Sequence, residues 1–386
     1  KRQILYTSGS TGRPKGVVTS YGAYDYSCNA TREFVNLGEH DRLLSYLPLS
    51  HVTERMALIG PAIYAGAAVY FVETLETFMD DLKVARPTLF GSVPRLWVKF
   101  QAGIHAQIPP GRLRFLLALP IIGGLVAKRI REGMGFDACK AFASGSAPIS
   151  PHTLRWYRKL GIDIGEGWGM SETSGLSCGN MPYEARRIGT IGVPVPGTEM
   201  KVSDMGEILI RGPGLFTEYY KNPELTAESF IEGGYFRTGD KGEWDEKVNG
   251  FRITGRVKEI FKSAKGKYVV PVPIESRLSG NPLIEQVCVI GSGMPAPVAV
   301  GVLSEAGRNL PKENVERSLR KTLEQTNAAL ESHERLANLM IVNDEWTPEN
   351  GLLTPTLKLK RDQLEARYQD YFVKEPGDLI AWESGA

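Results

Sequence analysis

The sequence predicts a two-domain α/β protein: a large domain of mainly parallel sheet with a β-rich subdomain, then a small α+β C-terminal domain. Three observations carry that expectation. Strand-like and helix-like segments alternate up to about Pro194, the pattern of a parallel sheet covered by helices. From about Gly192 to Phe251 short strands and glycine turns take over. After about Arg256 an amphipathic helix lies between two apolar strands. The boundary is drawn at 255/256, giving domains 1–255 and 256–386, and the length of 386 residues suits two domains.

Taken in order, Gln3–Tyr6 reads as a short buried strand. From Thr19 a helix is expected, with Tyr21, Tyr24 and Cys28 at spacings of three and four. "TSGSTGRPKG" (Thr7–Gly16) therefore joins a strand to a helix. "AAVYFVE" is a strand, "ETFMDDLKVAR" a helix, "PTLFGSV" a strand and "PRLWVKFQAGI" a helix. Ser150 and Pro151 make an N-cap and first-turn pair before "HTLRWYRKLG". "EMKVSD", "GEILIRG", "YFRTGD" and "KGEWDE" read as separate short strands, and Asn222-Pro223 starts a helix among them. In "PKENVERSLRKTLEQTNAAL", Val315, Leu319, Leu323 and Leu330 share one face, with strands "QVCVIG" and "LMIVN" on either side.

Composition narrows the class. The net charge is only +2 and no basic block is interleaved with aromatics, which excludes a nucleic-acid partner. Four cysteines (Cys28, Cys139, Cys178, Cys288) lie scattered without a C-x-x-C. That fits reduced thiols in a cytoplasmic enzyme and argues against zinc. "RLRFLLALPIIGGLVAKRIR" (Arg112–Arg131) has an apolar centre too short to span a bilayer, with basic residues at both ends. It reads as a buried helical hairpin or as a surface for anionic lipid or an acyl chain.

Thr7–Gly16 carries the chemistry. Gly9, Gly12 and Gly16 open backbone conformations closed to other residues, so that N–H groups converge on an anion. Thr7, Ser8, Ser10 and Thr11 add hydroxyls, and Lys15 adds a charge. The guest is a polyphosphate, yet the spacing departs from G-x-x-x-x-G-K-[ST] because Lys15 follows a proline and precedes a glycine.

Six motifs in order resemble those of the adenylate-forming superfamily, which includes acyl-CoA synthetases, luciferases and peptide-synthetase adenylation domains. They are "TSGSTGRPKG", "ASGSAPIS" (Ala143–Ser150), "GWGMSET" (Gly167–Thr173), "YFRTGD" (Tyr235–Asp240), "ITGRVKEIFKSAKGKYVVP" (Ile253–Pro271) and "TPTLKLKR" (Thr354–Arg361). The resemblance covers nearly the whole chain and implies a large ATP- and acyl-binding domain with a small mobile C-terminal domain. It also implies an N-terminal subdomain ahead of the phosphate loop, so a chain opening Lys1-Arg2-Gln3 is expected to be a fragment.

The resemblance further implies the roles. Thr7, Ser8, Gly9, Ser10, Thr11, Gly12 and Lys15 would hold the β- and γ-phosphates of ATP. Glu172 would bind Mg²⁺ and Ser171 the α-phosphate. Gly145, Ser146, Ala147 and Pro148 would line the adenine slot, and Trp168, between Gly167 and Gly169, would stack on the base or pack in the core. Asp240 would clamp the ribose and Arg256 reach the nucleotide. Lys358, favoured over Lys360, would contact the α-phosphate and the attacking carboxylate. Lys258 would be the hinge, with Lys265 and Gly266 on the CoA side. "SYLPLSHVTERM" (Ser45–Met56) and "FVETLETFMDDLKVARPTLFGSVPRLWVK" (Phe71–Lys99) look most like long-chain fatty acyl-CoA synthetases, with His51 at the mouth of the acyl pocket or a structural residue. The expected enzyme is an AMP-forming long-chain fatty acid–CoA ligase using ATP, Mg²⁺ and CoA. A fatty acyl-AMP ligase, a carboxylic acid reductase adenylation domain and a non-catalytic nucleotide-binding relative are the alternatives.

Overall fold

The computed structural model describes residues 3–8, 14–354, 358–374 and 378–383. Strands β1 (Gln3–Ser8) and β2 (Pro14–Thr19) form an antiparallel hairpin with Thr7 opposite Lys15. The helix Tyr21–Phe34 starts only after it, where the Ser20 hydroxyl accepts from the Ala23 N–H. Two expectations are corrected here. The glycine-rich segment joins two strands, not a strand and a helix, because Val17, Val18 and Thr19 are β-branched and pack as a buried strand. And β1 is half-buried: Leu5 points inward and Tyr6 outward, the alternation of a one-sided strand.

Strands β3 (Arg42–Ser45) and β4 (Ala68–Phe71) pair in parallel. A second sheet follows: β5 (Leu89–Ser92), β6 (Ala141–Ser144) and β7 (Ile164–Met170) are parallel, then β8 (Gly175–Gly179) and β9 (Val193–Pro194) add antiparallel. The helix Pro94–Gln107 anchors this sheet through Trp97, fully buried among Phe90, Phe100, Phe136, Phe142 and Tyr157. The Trp97 Nε1–H donates to the Ala143 carbonyl at 3.2 Å, and the Tyr157 hydroxyl donates to the Trp97 carbonyl. Buried indole and phenol groups thus find acceptors, as their polar tips require. Ser150 caps the helix Pro151–Arg158 by accepting from the His152 N–H.

The β-rich part contains β10 (Glu199–Val202), β11 (Glu207–Arg211), β12 (Glu218–Tyr219), β13 (Phe230–Ile231), β14 (Tyr235–Asp245) and β15 (Gly250–Arg256). Strand β12 crosses back to pair with β2, and the others form the sheet β10-β11-β14-β13 with β15 on β14. "YFRTGD" and "KGEWDE" are one continuous strand, not two. Asn222 caps the helix Pro223–Glu228 through the Leu225 N–H.

The chain divides into two compact units, 1–238 with 242–253 and 239–241 with 254–386. In the second, β16 (Phe261–Lys262) and β17 (Tyr268–Val269) form a hairpin. Strands β18 (Ile284–Ile290), β19 (Val298–Leu303), β20 (Leu339–Val342) and β21 (Ile380–Trp382) form a four-stranded sheet, antiparallel at its first pair. The helix Lys312–Ala328 buries Val315, Leu319 and Leu323 against it. Leu330 lies just past the helix end and packs on the same cluster. The architecture is the expected one, a large α/β unit and a smaller α+β unit.

One buried ion pair fixes the segment 358–361 to this second core. Arg361 Nη1 donates to Glu275 Oε1 at 2.5 Å and to the Val289 carbonyl at 2.6 Å. Glu275 also accepts the Val289 N–H at 2.7 Å. Removing the guanidinium leaves a largely buried carboxylate without its cation. Arg361→Ala is expected to lower the stability of this unit by about 3–5 kcal/mol, read as an earlier midpoint in urea followed by far-UV circular dichroism.

Candidate functional site

Several of the first unit's candidate groups lie on or against the turn between β7 and β8. The turn is built by Thr173: its hydroxyl accepts the Met170 N–H at 3.0 Å and the Ser177 hydroxyl at 2.7 Å. Two glycines set how tightly it closes. A Cβ on Gly169 would sit 1.7 Å from the Gly175 carbonyl oxygen, and Gly175 has φ +107°. No side chain fits the first position, and the second falls where L-residues are strained. The turn carries Ser171 and the buried Glu172.

Glu172 is held from outside its own hairpin. Its carbonyl accepts the Phe216 N–H at 2.8 Å. Its carboxylate Oε1 accepts the buried Tyr219 hydroxyl at 2.9 Å. Burial, reinforced by the neighbouring Glu172 charge, pushes the Tyr219 phenol well above its ordinary range, so it stays a donor. The face of the same ring lies 5.2 Å from the Lys15 ammonium. Tyr219 therefore ties the lysine of the phosphate segment to the carboxylate of the core motif. The sequence reading did not single out Tyr219; its signal was a tyrosine pair placed just before the helix start at Asn222-Pro223.

The "ASGSAPIS" segment lies beside this turn because β6 pairs with β7. A Cβ on Gly145 would come 3.1 Å from the Gly167 carbonyl, a close approach that favours glycine. Ser146 adopts φ +68°, and its hydroxyl lies 2.9 Å from that of Thr53. Ala147 and Pro148 are exposed. Trp168 is partly buried against the Val17–Phe236 cluster.

Thr53 opens a π-helical turn, Thr53–Ile59, just after His51. The Thr53 N–H donates to His51 Nδ1 at 3.2 Å, so the ring helps to start this turn. Glu54 is almost fully buried on it, and burial raises its carboxyl above the usual carboxylate range. Gly9, Ser10, Thr11 and Gly12 lie outside the described residues. Thr7 and Ser8 end β1, with Thr7 facing Lys15 across the hairpin.

The second unit holds the remaining candidates. Asp240 is buried and accepts from Arg256 Nε at 3.1 Å. Lys258 is exposed in the turn that follows β15. Lys265 and Gly266 form the exposed tip of the β16–β17 hairpin, and Gly266 takes φ +71° there. Lys358 is half-buried, and 355–357 before it lie outside the described residues. Its N–H donates to the Thr354 hydroxyl at 3.0 Å and its carbonyl accepts the Thr354 N–H at 2.8 Å. Lys360 is exposed.

The AMP-binding enzyme family matches residues 2–220, and the AMP-binding enzyme C-terminal domain matches 259–373. The long-chain-fatty-acid–CoA ligase FadD15 of Mycobacterium bovis is 32% identical over 410 residues, covering 95% of this chain and 67% of that protein. The peroxisomal long chain acyl-CoA synthetase 7 of Arabidopsis thaliana is 32% identical over 431 residues, covering 98% of this chain and 61% of the relative. Among solved structures, the adenylation domain of a carboxylate reductase from Mycobacterium chelonae superposes with a TM-score of 0.78 at 26% identity, over 96% of this chain and 59% of that one.

Glu166, on β7 one residue before the core motif, gives the site a pH dependence. Its Oε2 accepts the Gly189 N–H at 2.8 Å. Burial pushes its carboxyl up to about 8, offset only in part by that bond and by the Arg252 charge. The folded chain thus keeps a proton that the unfolded chain loses above about pH 4.3. The stability this contributes is complete below that pH and is lost as pH rises toward 8. Glu166→Gln keeps an acceptor for Gly189 but cannot ionise. The melting temperature of the variant is expected to gain on the parent steadily between about pH 5 and pH 8, checked by calorimetry across that range.

Proposed function

The chain belongs to the AMP-binding enzyme family, the adenylate-forming enzymes that activate a carboxylic acid with ATP, and from that premise we propose that it activates a long-chain fatty acid and transfers it to CoA. The observation that carries the acyl class is the 32% identity to a long-chain-fatty-acid–CoA ligase over 95% of the chain.

The carboxylate oxygen of the acid attacks the α-phosphorus of ATP and pyrophosphate leaves, giving acyl-AMP. The thiol of CoA then attacks the acyl carbonyl and AMP leaves. The first step brings two anions together, and catalysis consists of positioning and charge neutralisation. Lys15 and the residues before it would take the β- and γ-phosphates, and Ser171 the α-phosphate. Asp240 would accept both ribose hydroxyls, with Arg256 beside it. Lys358 would lie against the α-phosphate and the incoming carboxylate. Among the described residues no group of three or more His, Cys, Asp or Glu could by itself enclose a metal. Glu172 fits Mg²⁺ all the same, because that ion takes one or two carboxylates and fills its shell with phosphate oxygens and water. When bound it neutralises phosphate charge. Tyr219 keeps the Glu172 carboxylate oriented, and Gly145 with Ser146 would leave room for the base.

A second reading, transfer of the acyl group to a carrier protein, draws on the likeness to the carboxylate reductase adenylation domain. Incubation with a long-chain acid, ATP and CoA is expected to yield acyl-CoA, AMP and pyrophosphate in equal amounts. Release of ADP and phosphate would refute adenylation. Pyrophosphate exchange without thioester on CoA, but with thioester on a carrier protein, would favour the second reading.

The half-reactions are expected to separate by mutation. Lys358→Ala should reduce acid-dependent pyrophosphate exchange by about 10²-fold or more, yet still convert supplied acyl-AMP and CoA to thioester. Lys258→Pro fixes φ and removes an N–H at the hinge, and should spare exchange while blocking thioester formation. Equal loss of both activities in each variant would remove these two assignments.

A further inference from the structure

The helices Pro110–Ala118 and Ile122–Gly133 pack against each other as a hairpin, and apolar side chains at its connecting end are exposed. Gly123 permits the helices to meet so closely: a Cβ there would lie 2.6 Å from the Leu117 carbonyl oxygen. Between them the chain turns through Ile121, with φ +65° and ψ −54°, and the Ile122 N–H donates to the Pro120 carbonyl at 2.7 Å. This is a γ-turn of the strained, positive-φ kind. A β-branched residue rarely occupies it. Here it carries an isoleucine that is 82% exposed.

The rest of the tip is of the same character. Phe115, Ile122 and Leu125 are also exposed, and Ala118, Pro120 and Gly124 beside them add no polar side chain. No charged residue falls between Arg114 and Lys128. Immediately behind the tip the charge is of one sign: Arg112 and Arg114 on the first helix, Lys128 and Arg129 on the second, all exposed. The first acid to follow, Glu132, lies 3.7 Å from Lys128. Arg131 is turned inward, donating to the Leu160 carbonyl. Neither helix could cross a membrane, and among the described residues no helix is long and apolar enough to do so.

We propose that this hairpin is a membrane-docking wedge, its Phe115–Leu125 tip entering the interface of a lipid bilayer while Arg112, Arg114, Lys128 and Arg129 engage anionic headgroups. The order along the hairpin, apolar end first and cations one helical turn behind, matches the change from acyl chain to phosphate across the bilayer boundary. An exposed aliphatic tip on a soluble unit costs solubility unless something covers it. The one-signed collar selects a negatively charged surface as that cover. The wedge is independent of which acid the enzyme activates, and its test needs no turnover.

The experiment is flotation of the full chain with vesicles of phosphatidylcholine, with or without about 30% phosphatidylserine. The chain should float with the anionic vesicles and be released by about 0.5 M NaCl, where charges are screened. Ile121→Asp combined with Ile122→Asp should abolish flotation, with an unchanged thermal melt showing that the fold is intact. Arg112→Gln with Arg114→Gln should weaken partitioning about 30-fold. Absence of flotation, equal flotation with both vesicle types, or flotation indifferent to all these substitutions overturns the proposal. Self-association without lipid that the aspartates abolish assigns the tip to a second copy of the chain and likewise overturns it.

Discussion

The hydrogen bond from Tyr219 to Glu172 is the contact on which the first unit's site depends. It joins three segments with no sequence proximity: the hairpin bearing Lys15, the β7–β8 turn, and the short strand β12. Each segment is individually weak. A two-residue strand has little stability of its own. Here β12 is fixed by pairing with β2 and by burial of Phe216 and Tyr219 in the same cluster as Val17. The buried carboxylate meets a donor in the Tyr219 hydroxyl, and the phenol stays a donor because burial and the carboxylate both oppose its ionisation.

The second unit solves the corresponding problem with an ion pair. The segment carrying Lys358 comes from a loop and would otherwise be poorly fixed. Arg361 secures it from three residues downstream by reaching a backbone carbonyl of β18 and the carboxylate of Glu275. A buried pair of this kind adds little net stability compared with apolar packing, but it imposes one register. That suits the lysine proposed to lie against the α-phosphate, whose role would depend on its position.

The glycines show how much of this is geometric. Gly169 is set by a carbonyl that would collide with any side chain, and Gly145 by its approach to Gly167. Gly266 is different: open space surrounds it, and its left-handed φ is the requirement. Close approach explains the first two and turn conformation the third.

Local patterns were legible without coordinates. The strand–helix alternation, the Ser150 and Asn222 caps and the buried face Val315–Leu319–Leu323 depend on neighbours within a few residues, and each appears in the structure. So did the two-unit architecture, which follows from where those patterns change. The sequence failed where a segment's state is decided from afar. Thr7–Gly16 has the composition of a strand–helix loop, but Val17 and Val18 find partners on β1 and β12, and the pairing makes it a hairpin. The composition of 112–131 left open a buried hairpin or a surface for lipid or an acyl chain, and only the packing of its inner face shows which apolar side chains are left outside. The sequence alone determined which chemical groups the protein carries and in what order. Tertiary structure decided which of them meet: Tyr219 and Glu172 are 47 positions apart, and no periodicity or propensity acts across that distance.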